Sequence, residues 1–223
     1  TIIEVPTDTD GLYWYVCDID GATGDVMVVN QIQDEIVQKT YVPDDNFEQA
    51  LIDLGYDDVL DDFVLTDNIS GVTSLTVEGK EISNLTGIQD FTALELLYCE
   101  NNLLTSLDLS NNLVLNQLHA ADNQLTSLDV SNNSALLVLN VSHSQLDSLD
   151  VSNNTSLNTF DCYGNNLTYL NMKNGITAGL TLFIAMNNSL VCIETLDPDY
   201  ATENWTYANG NIDDGVIFAI ECP

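Results

Sequence analysis

The sequence predicts a mainly β solenoid, in which short strands from successive coils stack into parallel sheets. The first reason is a repeat of constant length, because leucines recur every 21 residues at Leu94, Leu115, Leu136 and Leu157. The second is a pattern of three apolar residues and an asparagine that begins at Leu94 and begins again at Leu104. Such a unit buries its apolar face only against its neighbours. The nested pattern predicts two strands per coil and two parallel sheets on opposite faces.

Residues 1–40 do not follow the repeat. Gly11–Val16 and Asp25–Val29 are rich in β-branched and aromatic residues, and an acidic, glycine-containing segment separates them. This pattern predicts a β-hairpin with a long loop. We expect this segment to cover one end of the solenoid or to belong to a preceding domain.

Residues 41–71 are predicted to form a helical N-terminal cap. Asn46 is the expected N-cap residue of an amphipathic helix, and Gly55 is expected to end it. An open stack of coils needs a cover over its first apolar surface, which the helix would supply. The apolar side of the helix is predicted to consist of Phe47, Leu51 and Leu54.

The repeats occupy residues 72–193, and residues 194–223 are expected to form an irregular C-terminal cap. Atypical units begin at Val72 and Leu180, as expected where caps take over. Most units carry an asparagine at the same corner, which would satisfy backbone groups in a tight turn. Ser144 takes the place of that asparagine in one unit.

Five cysteines are present, and two of them occupy the same repeat position three units apart. Strand stacking separates Cys99 and Cys162 by on the order of 14 Å, which is too far for a disulfide. We interpret both as buried core thiols. Cys192 and Cys222 flank the C-terminal tail and could form a disulfide that holds it, which would leave Cys17 unpaired.

The pattern from Val72 to Ile193 resembles a bacterial leucine-rich repeat of the 21-residue type with nested halves. The segment YVPDDNFEQALIDLGYDD and the tail with LVCIETLD and ECP resemble the end caps of secreted Bacteroidota leucine-rich-repeat proteins. The resemblance implies a right-handed coil with a helical N-terminal cap. It also implies export to the cell surface and a part in adhesion or protein recognition.

The charge balance limits the classes of partner. Thirty-five acidic residues face three lysines and no arginine, which gives a formal net charge of −32. Nothing in this composition could neutralise phosphates, so nucleic acids and anionic membrane surfaces are disfavoured. No apolar run is long enough to cross a membrane. Cations, basic proteins and neutral glycans are compatible with this composition.

The outward positions of the first half-repeat vary from unit to unit, whereas TSLDLSNN, TSLDVSNN and DSLDVSNN in the second half barely change. Alternation along a strand turns the variable side chains away from the core. Outward aromatic and aliphatic residues suit a contact surface, although drift between repeats would give the same variation. The predicted ligand-binding residues are Leu96, Tyr98, Glu100, Gln117, His119, Val138, Asn140, Asp161, Tyr163, Ile184 and Met186.

Two groups of acidic residues suggest calcium-binding sites. Asp108, Asp129 and Asp150 recur at one outward position, where stacked carboxylates repel and a hard cation would relieve the repulsion. The alternative is that they are solvated acids hydrogen-bonded to nearby serines. Three further acids lie in a loop whose Asp-x-Asp-Gly sequence resembles part of a calcium-binding loop. The alternative is an ordinary hairpin turn. The three acids are Asp18, Asp20 and Asp25.

No motif for catalysis is present, and neither His119 nor His143 has a motif-placed nucleophile. The sequence therefore predicts a non-enzymatic, extracellular recognition module that binds a protein or glycan on another surface and requires no cofactor. One alternative is a structural spacer within a larger surface adhesin. Another is an ice-binding repeat, suggested by the ladder Thr105, Thr126 and Thr168.

Overall fold

The computed structural model describes residues 2–5, 14–17 and 37–223. The chain divides into two compact units, Thr1–Val37 and Gln38–Pro223. The boundaries predicted inside the second unit, at residues 71 and 193, stay predictions.

The first unit contains two short antiparallel strands. Strand β1 (Ile2–Val5) pairs with β2 (Trp14–Cys17), so that Ile3 lies opposite Val16. The predicted partner strand at Asp25–Val29 lies outside the described residues, as do Asp18, Asp20 and Asp25.

The second unit begins with a small cap. Strand β3 (Lys39–Tyr41) pairs antiparallel with β4 (Phe63–Leu65). Helix α1 (Asp45–Asp53) lies between them in the chain, and the short helix α2 (Thr66–Ile69) follows β4.

The start of α1 differs from the prediction, because Asp44 caps the helix and Asn46 does not. One oxygen of Asp44 accepts hydrogen bonds from the backbone N–H groups of Asn46 and Phe47, each at 3.1 Å. The other oxygen accepts from the backbone N–H groups of Ser83 and Asn84. A carboxylate is an acceptor at both oxygens, so Asp44 can join the helix to the first coil.

The end of α1 follows the prediction at Gly55, which has a φ of 80°. The Gly55 N–H donates to the Ile52 carbonyl and the Tyr56 N–H to the Leu51 carbonyl, both at 2.9 Å, which is the Schellman pattern. Phe47 and Leu51 are fully buried as predicted. Leu54 was wrongly placed on the apolar side: it is 45% exposed, because it is the C-cap residue.

Two parallel sheets follow the cap. The first has six strands that each come from one coil, and consecutive members are hydrogen-bonded neighbours. They are β5 (Ser74–Thr76), β6 (Leu96–Tyr98), β7 (Gln117–His119), β8 (Val138–Asn140), β10 (Thr159–Asp161) and β12 (Leu182–Ile184). The second sheet contains β9 (Ser148–Asp150), β11 (Tyr169–Met172), β13 (Cys192–Thr195) and β14 (Ile217–Ala219). The predicted β solenoid is confirmed.

The prediction of two strands in every coil is wrong for the first three coils. In the first coil, residues 77–87 form no strand. Residues 105–110 and 126–131 form no strand, although they carry the same pattern as β9. Between the two coils, the hydrogen bond from the Thr126 N–H to the Thr105 carbonyl is long, at 3.4 Å. In the first sheet, the Cys99 N–H donates to the His119 carbonyl at 2.8 Å. Two adjoining grooves, of 420 and 240 Å³, open on this side.

Asparagines hold one corner of most coils. The Asn123 amide donates to the carbonyls of Cys99, Ala120 and Ala121, and its oxygen accepts from the Leu104 N–H. Asn102, Asn165 and Asn188 bond in the same way. These bonds satisfy backbone groups that the turn would otherwise leave unpaired. Ser144 is buried at this corner, and its hydroxyl has no partner.

The opposite corner has a weaker ladder. Asn112, Asn133 and Asn154 are fully buried, and the amide of each donates to two backbone carbonyls. Their side-chain oxygens have no hydrogen-bond partner. This ladder therefore satisfies fewer groups per coil than the ladder around Asn123.

The C-terminal end is closed by helix α3 (Pro198–Asn204), β14 and a disulfide. Trp205 is buried against Phe183, with ring centroids 4.5 Å apart. Cys192 and Cys222 form the disulfide, with a Cα–Cα distance of 5.8 Å. Cys99 and Cys162 are free and buried, as predicted, and burial raises the pKa of both thiols.

Candidate recognition surface

The outward side of the six-stranded sheet, called here the six-strand face, carries the variable residues of the repeats. In β6, β7, β8 and β10 the central residue is buried and the two flanking residues are partly exposed. All eleven residues predicted to bind ligand lie at outward positions of this face, and all are partly exposed. The structure therefore brings them together on one surface, and their binding role stays a prediction.

One aromatic cluster lies where β6 meets β7. The rings of Tyr98 and His119 stack with centroids 4.5 Å apart and an interplanar angle of 13°. The His119 Nδ1 atom lies 3.6 Å from the Glu100 Oε1 atom. Pairing of β6 with β7 places Tyr98 beside His119, so the stack follows from the parallel register.

A second aromatic cluster lies after β8 and β10. His143 packs edge-on against Tyr163, with ring centroids 5.1 Å apart. Asp161, two residues before Tyr163, accepts the Tyr163 N–H at 2.9 Å. His143 was not among the predicted binding residues, because its repeat position is a corner. Its φ of 53° matches that of Asp122 at the equivalent corner.

Small side chains separate the two aromatic clusters. Ala121 and Ser142 occupy the positions equivalent to Glu100 and Tyr163, and both are buried. The Ser142 hydroxyl donates to the Asn140 side-chain oxygen at 2.8 Å. The sequence could have indicated this gap, since Ala121 and Ser142 are the smallest residues among the equivalent positions of the repeats.

The acids of the six-strand face are partly desolvated, and the basic groups beside them are histidines: His119 beside Glu100 and His143 beside Asp161. Burial, reinforced by repulsion from Glu78 and Asp122, raises the pKa of Glu100. Burial also raises the pKa of Asp161 and lowers that of His119. Within residues 37–223, each lysine is paired elsewhere: Lys39 with Asp61, Lys80 with Asp53, and Lys173 with Glu194.

The acids predicted to bind calcium in the second half-repeat have lowered pKa values, unlike the acids of the six-strand face. Asp108, Asp129 and Asp150 each accept the backbone N–H of the serine two residues later, at 2.8 to 3.0 Å. Bonds from Ser110 hold the pKa of Asp108 below its ordinary value, and bonds from Ser131 do the same for Asp129. In the part of the chain that the structure describes, no three His, Cys, Asp or Glu residues are grouped so as to hold a metal ion.

The threonine ladder is not part of a regular flat sheet. Thr105 and Thr126 lie in coils without a second strand, and Thr168 directly precedes β11. Among the described residues, no helix is long and apolar enough to cross a membrane.

Solved structures of bacterial repeat proteins resemble this fold. Internalin InlF of Listeria monocytogenes matches with a TM-score of 0.58 and 21% identity, over 69% of this chain and 50% of that one. InlJ of the same organism matches with a TM-score of 0.47 and 22% identity, over 71% and 52%. The fold is that of a leucine-rich repeat.

The match has a limited extent. This chain spans about half the length of the two internalin structures. No protein-family model matches the sequence, and no curated protein matches it. At this level of identity, the similarity to InlF concerns the fold alone.

Proposed function

We propose that the chain is a recognition module that binds a protein or a glycan on another surface through the six-strand face. The supporting observation is that the side chains which vary between coils are gathered on one continuous surface. The coil interior and the asparagine ladders account for the repeated residues, whereas packing alone does not require a tyrosine at position 98 or a methionine at position 186.

The composition of the face suits binding. Tyr98, Tyr163 and Ile184 are held partly exposed by a rigid sheet, so they would lose little conformational freedom on binding. Aromatic anchors of this kind carry a large share of the energy of protein interfaces. The acids among them would add electrostatic selectivity for the partner.

The proposed setting is the bacterial cell surface, with a part in adhesion. The disulfide between Cys192 and Cys222 fits an oxidising environment outside the cytoplasm. The likeness of the caps to those of secreted Bacteroidota repeat proteins, and the assignment to the 21-residue repeat type, belong to the same proposal. Binding of a ligand is the proposed activity, with no catalytic step.

The test compares binding of the wild-type chain and two variants to a glycan array and to an array of purified extracellular protein domains. The Tyr98→Ala/Tyr163→Ala variant should lose at least about tenfold in affinity for whatever the wild type binds. Tyr207→Ala is the matched control, because Tyr207 is an exposed tyrosine of the C-terminal cap. Equal binding by both variants, with the fold intact by circular dichroism, would overturn the proposed surface.

The second candidate function is a spacer that holds other domains of an adhesin away from the cell. The near-identical second half-repeats favour it, because a spacer needs regular coils and no ligand surface. Replacing residues 72–193 by a length-matched inert solenoid in the adhesin separates the two functions. Restored cell attachment supports the spacer, and lost attachment supports recognition.

A further inference from the structure

Glu100 and Asp161 place negative charge on the six-strand face, and the lysines of residues 37–223 are all paired elsewhere. Glu100 has Glu78 and Asp122 as acidic neighbours, and its nearest basic group is His119, at 3.6 Å. Burial lowers the pKa of His119, which disfavours the charged form of its ring. The basic neighbour of Asp161 is likewise a histidine, His143. Partly desolvated carboxylates that have no lysine or arginine partner would attract a cation from outside the chain.

An aromatic ring lies beside each of these acids. Tyr98 and His119 form a stacked pair next to Glu100, and Tyr163 follows Asp161 by two residues on the same side of the strand. Carboxylates bind ammonium and guanidinium groups, and aromatic faces attract the same cations. Each aromatic cluster therefore combines the two groups that bind a lysine or arginine side chain.

The separation between the two acids sets the spacing of the cations. Glu100 follows β6 and Asp161 ends β10, with β7 and β8 between these strands. Three strand steps and a displacement of two residues along the strand correspond to roughly 16 Å. In an extended peptide, residues four apart are separated by roughly 14 Å and point to the same side. The small side chains of Ala121 and Ser142 leave room for the peptide backbone between the two aromatic clusters.

We propose that the six-strand face binds an extended, basic segment of a partner protein, with two lysine or arginine side chains four residues apart. One side chain contacts Glu100, Tyr98 and His119, and the other contacts Asp161 and Tyr163. This inference rests on the proposed function and specifies its partner as a protein with a basic segment.

Labelled glycine–serine peptides test the inference at low salt by fluorescence anisotropy with the full chain. One peptide carries two lysines four residues apart, an isomer carries them adjacent, and a third carries them acetylated. The spaced peptide should bind at least about threefold more tightly than the isomer, and the acetylated peptide should not bind measurably. Equal affinity of the two isomers would indicate general attraction to an acidic protein and would overturn the inference.

Two charge-matched variants locate the binding. Glu100→Gln/Asp161→Asn should weaken binding of the spaced peptide by about tenfold. Asp108→Asn/Asp129→Asn removes the same formal charge from outside the six-strand face and should weaken it by less than about twofold. Equal losses in the two variants would overturn the inference, since binding would then depend on net charge only.

The outcome can be separated from that of the proposed function. If no peptide binds while the Tyr98→Ala/Tyr163→Ala variant loses an array ligand, the face recognises some other chemistry and only this inference fails. If the wild-type chain binds neither peptides nor array ligands, the proposed function fails as well.

Discussion

Replacing Ser144 by asparagine should stabilise the solenoid. The equivalent asparagine one coil later, Asn165, donates to the Val141 and Cys162 carbonyls at 2.9 and 3.1 Å and accepts from the Leu146 N–H at 3.0 Å. The corresponding groups 21 residues earlier are the carbonyls of Ala120 and Val141 and the Leu125 N–H. The serine hydroxyl reaches none of them and is buried without a partner.

The expected gain follows from three new hydrogen bonds. At about 1 kcal/mol each they would contribute about 3 kcal/mol. Ordering the longer side chain costs about 1 kcal/mol of this, which leaves about 2 kcal/mol. For a unit of this size, that free energy corresponds to a rise of roughly 4 to 8 °C in the melting temperature.

Calorimetry or thermal circular dichroism measures the effect. Ser134→Asn is the matched control, because Ser134 is exposed at the end of the preceding coil and its replacement should leave the melting temperature nearly unchanged. Asn165→Ser is the reverse variant and should lower it by a similar amount. A neutral or destabilising effect of Ser144→Asn would refute the argument, since it would show that the corner cannot accept the amide.

Three other predictions concern the ladders, the acids and the cap. Asn123→Ala should lower the free energy of unfolding by about 3 kcal/mol and Asn133→Ala by less than about 2 kcal/mol in urea titrations, because Asn133 makes fewer bonds. The pKa of Asp129 is lowered in the folded state, so its stabilisation exists above its unfolded pKa and disappears as the pH falls through the folded value. Wild type and Asp129→Asn should therefore differ in urea stability at pH 7 and converge as the pH falls through the folded-state pKa of Asp129. Reduction of the Cys192–Cys222 disulfide should destabilise the unit by about 3 kcal/mol in denaturant titrations with and without reductant, because its closed loop spans 30 residues.

Features set by one coil repeating on the next were predictable from the sequence. The period of the leucines predicted the core residues. The alternation along the strands predicted which eleven residues point outward, and the recurring asparagines predicted the asparagine ladder. Each depends on contacts between equivalent residues 21 positions apart, which a periodic sequence displays directly.

Features that depend on contacts outside the period were missed. Asn46 has the intrinsic preference of an N-cap residue, but Asp44 also bonds Ser83 and Asn84, and nothing local to the helix shows those partners. Residues 105–110 and 126–131 form no strand although they carry the repeated pattern, and the hydrogen bond between Thr126 and Thr105 is long, which the sequence of a single coil does not show. The corner residue His143 came to lie beside Tyr163 through the turn geometry, which its residue type does not indicate.

The two sets of acids affect folding in opposite directions, and the difference supports separate roles for the two sides of the coil. A carboxyl group with a lowered folded-state pKa favours folding above its unfolded pKa, as Asp108 and Asp129 do. A carboxyl group with a raised folded-state pKa binds its proton more tightly in the folded chain, so Glu100 and Asp161 oppose folding once the pH exceeds their unfolded pKa. The repeated acids thus stabilise the scaffold, whereas the acids of the six-strand face reduce its stability. Residues that destabilise a fold are concentrated where binding requires them, which is the reason to look for the partner at Glu100 and Asp161.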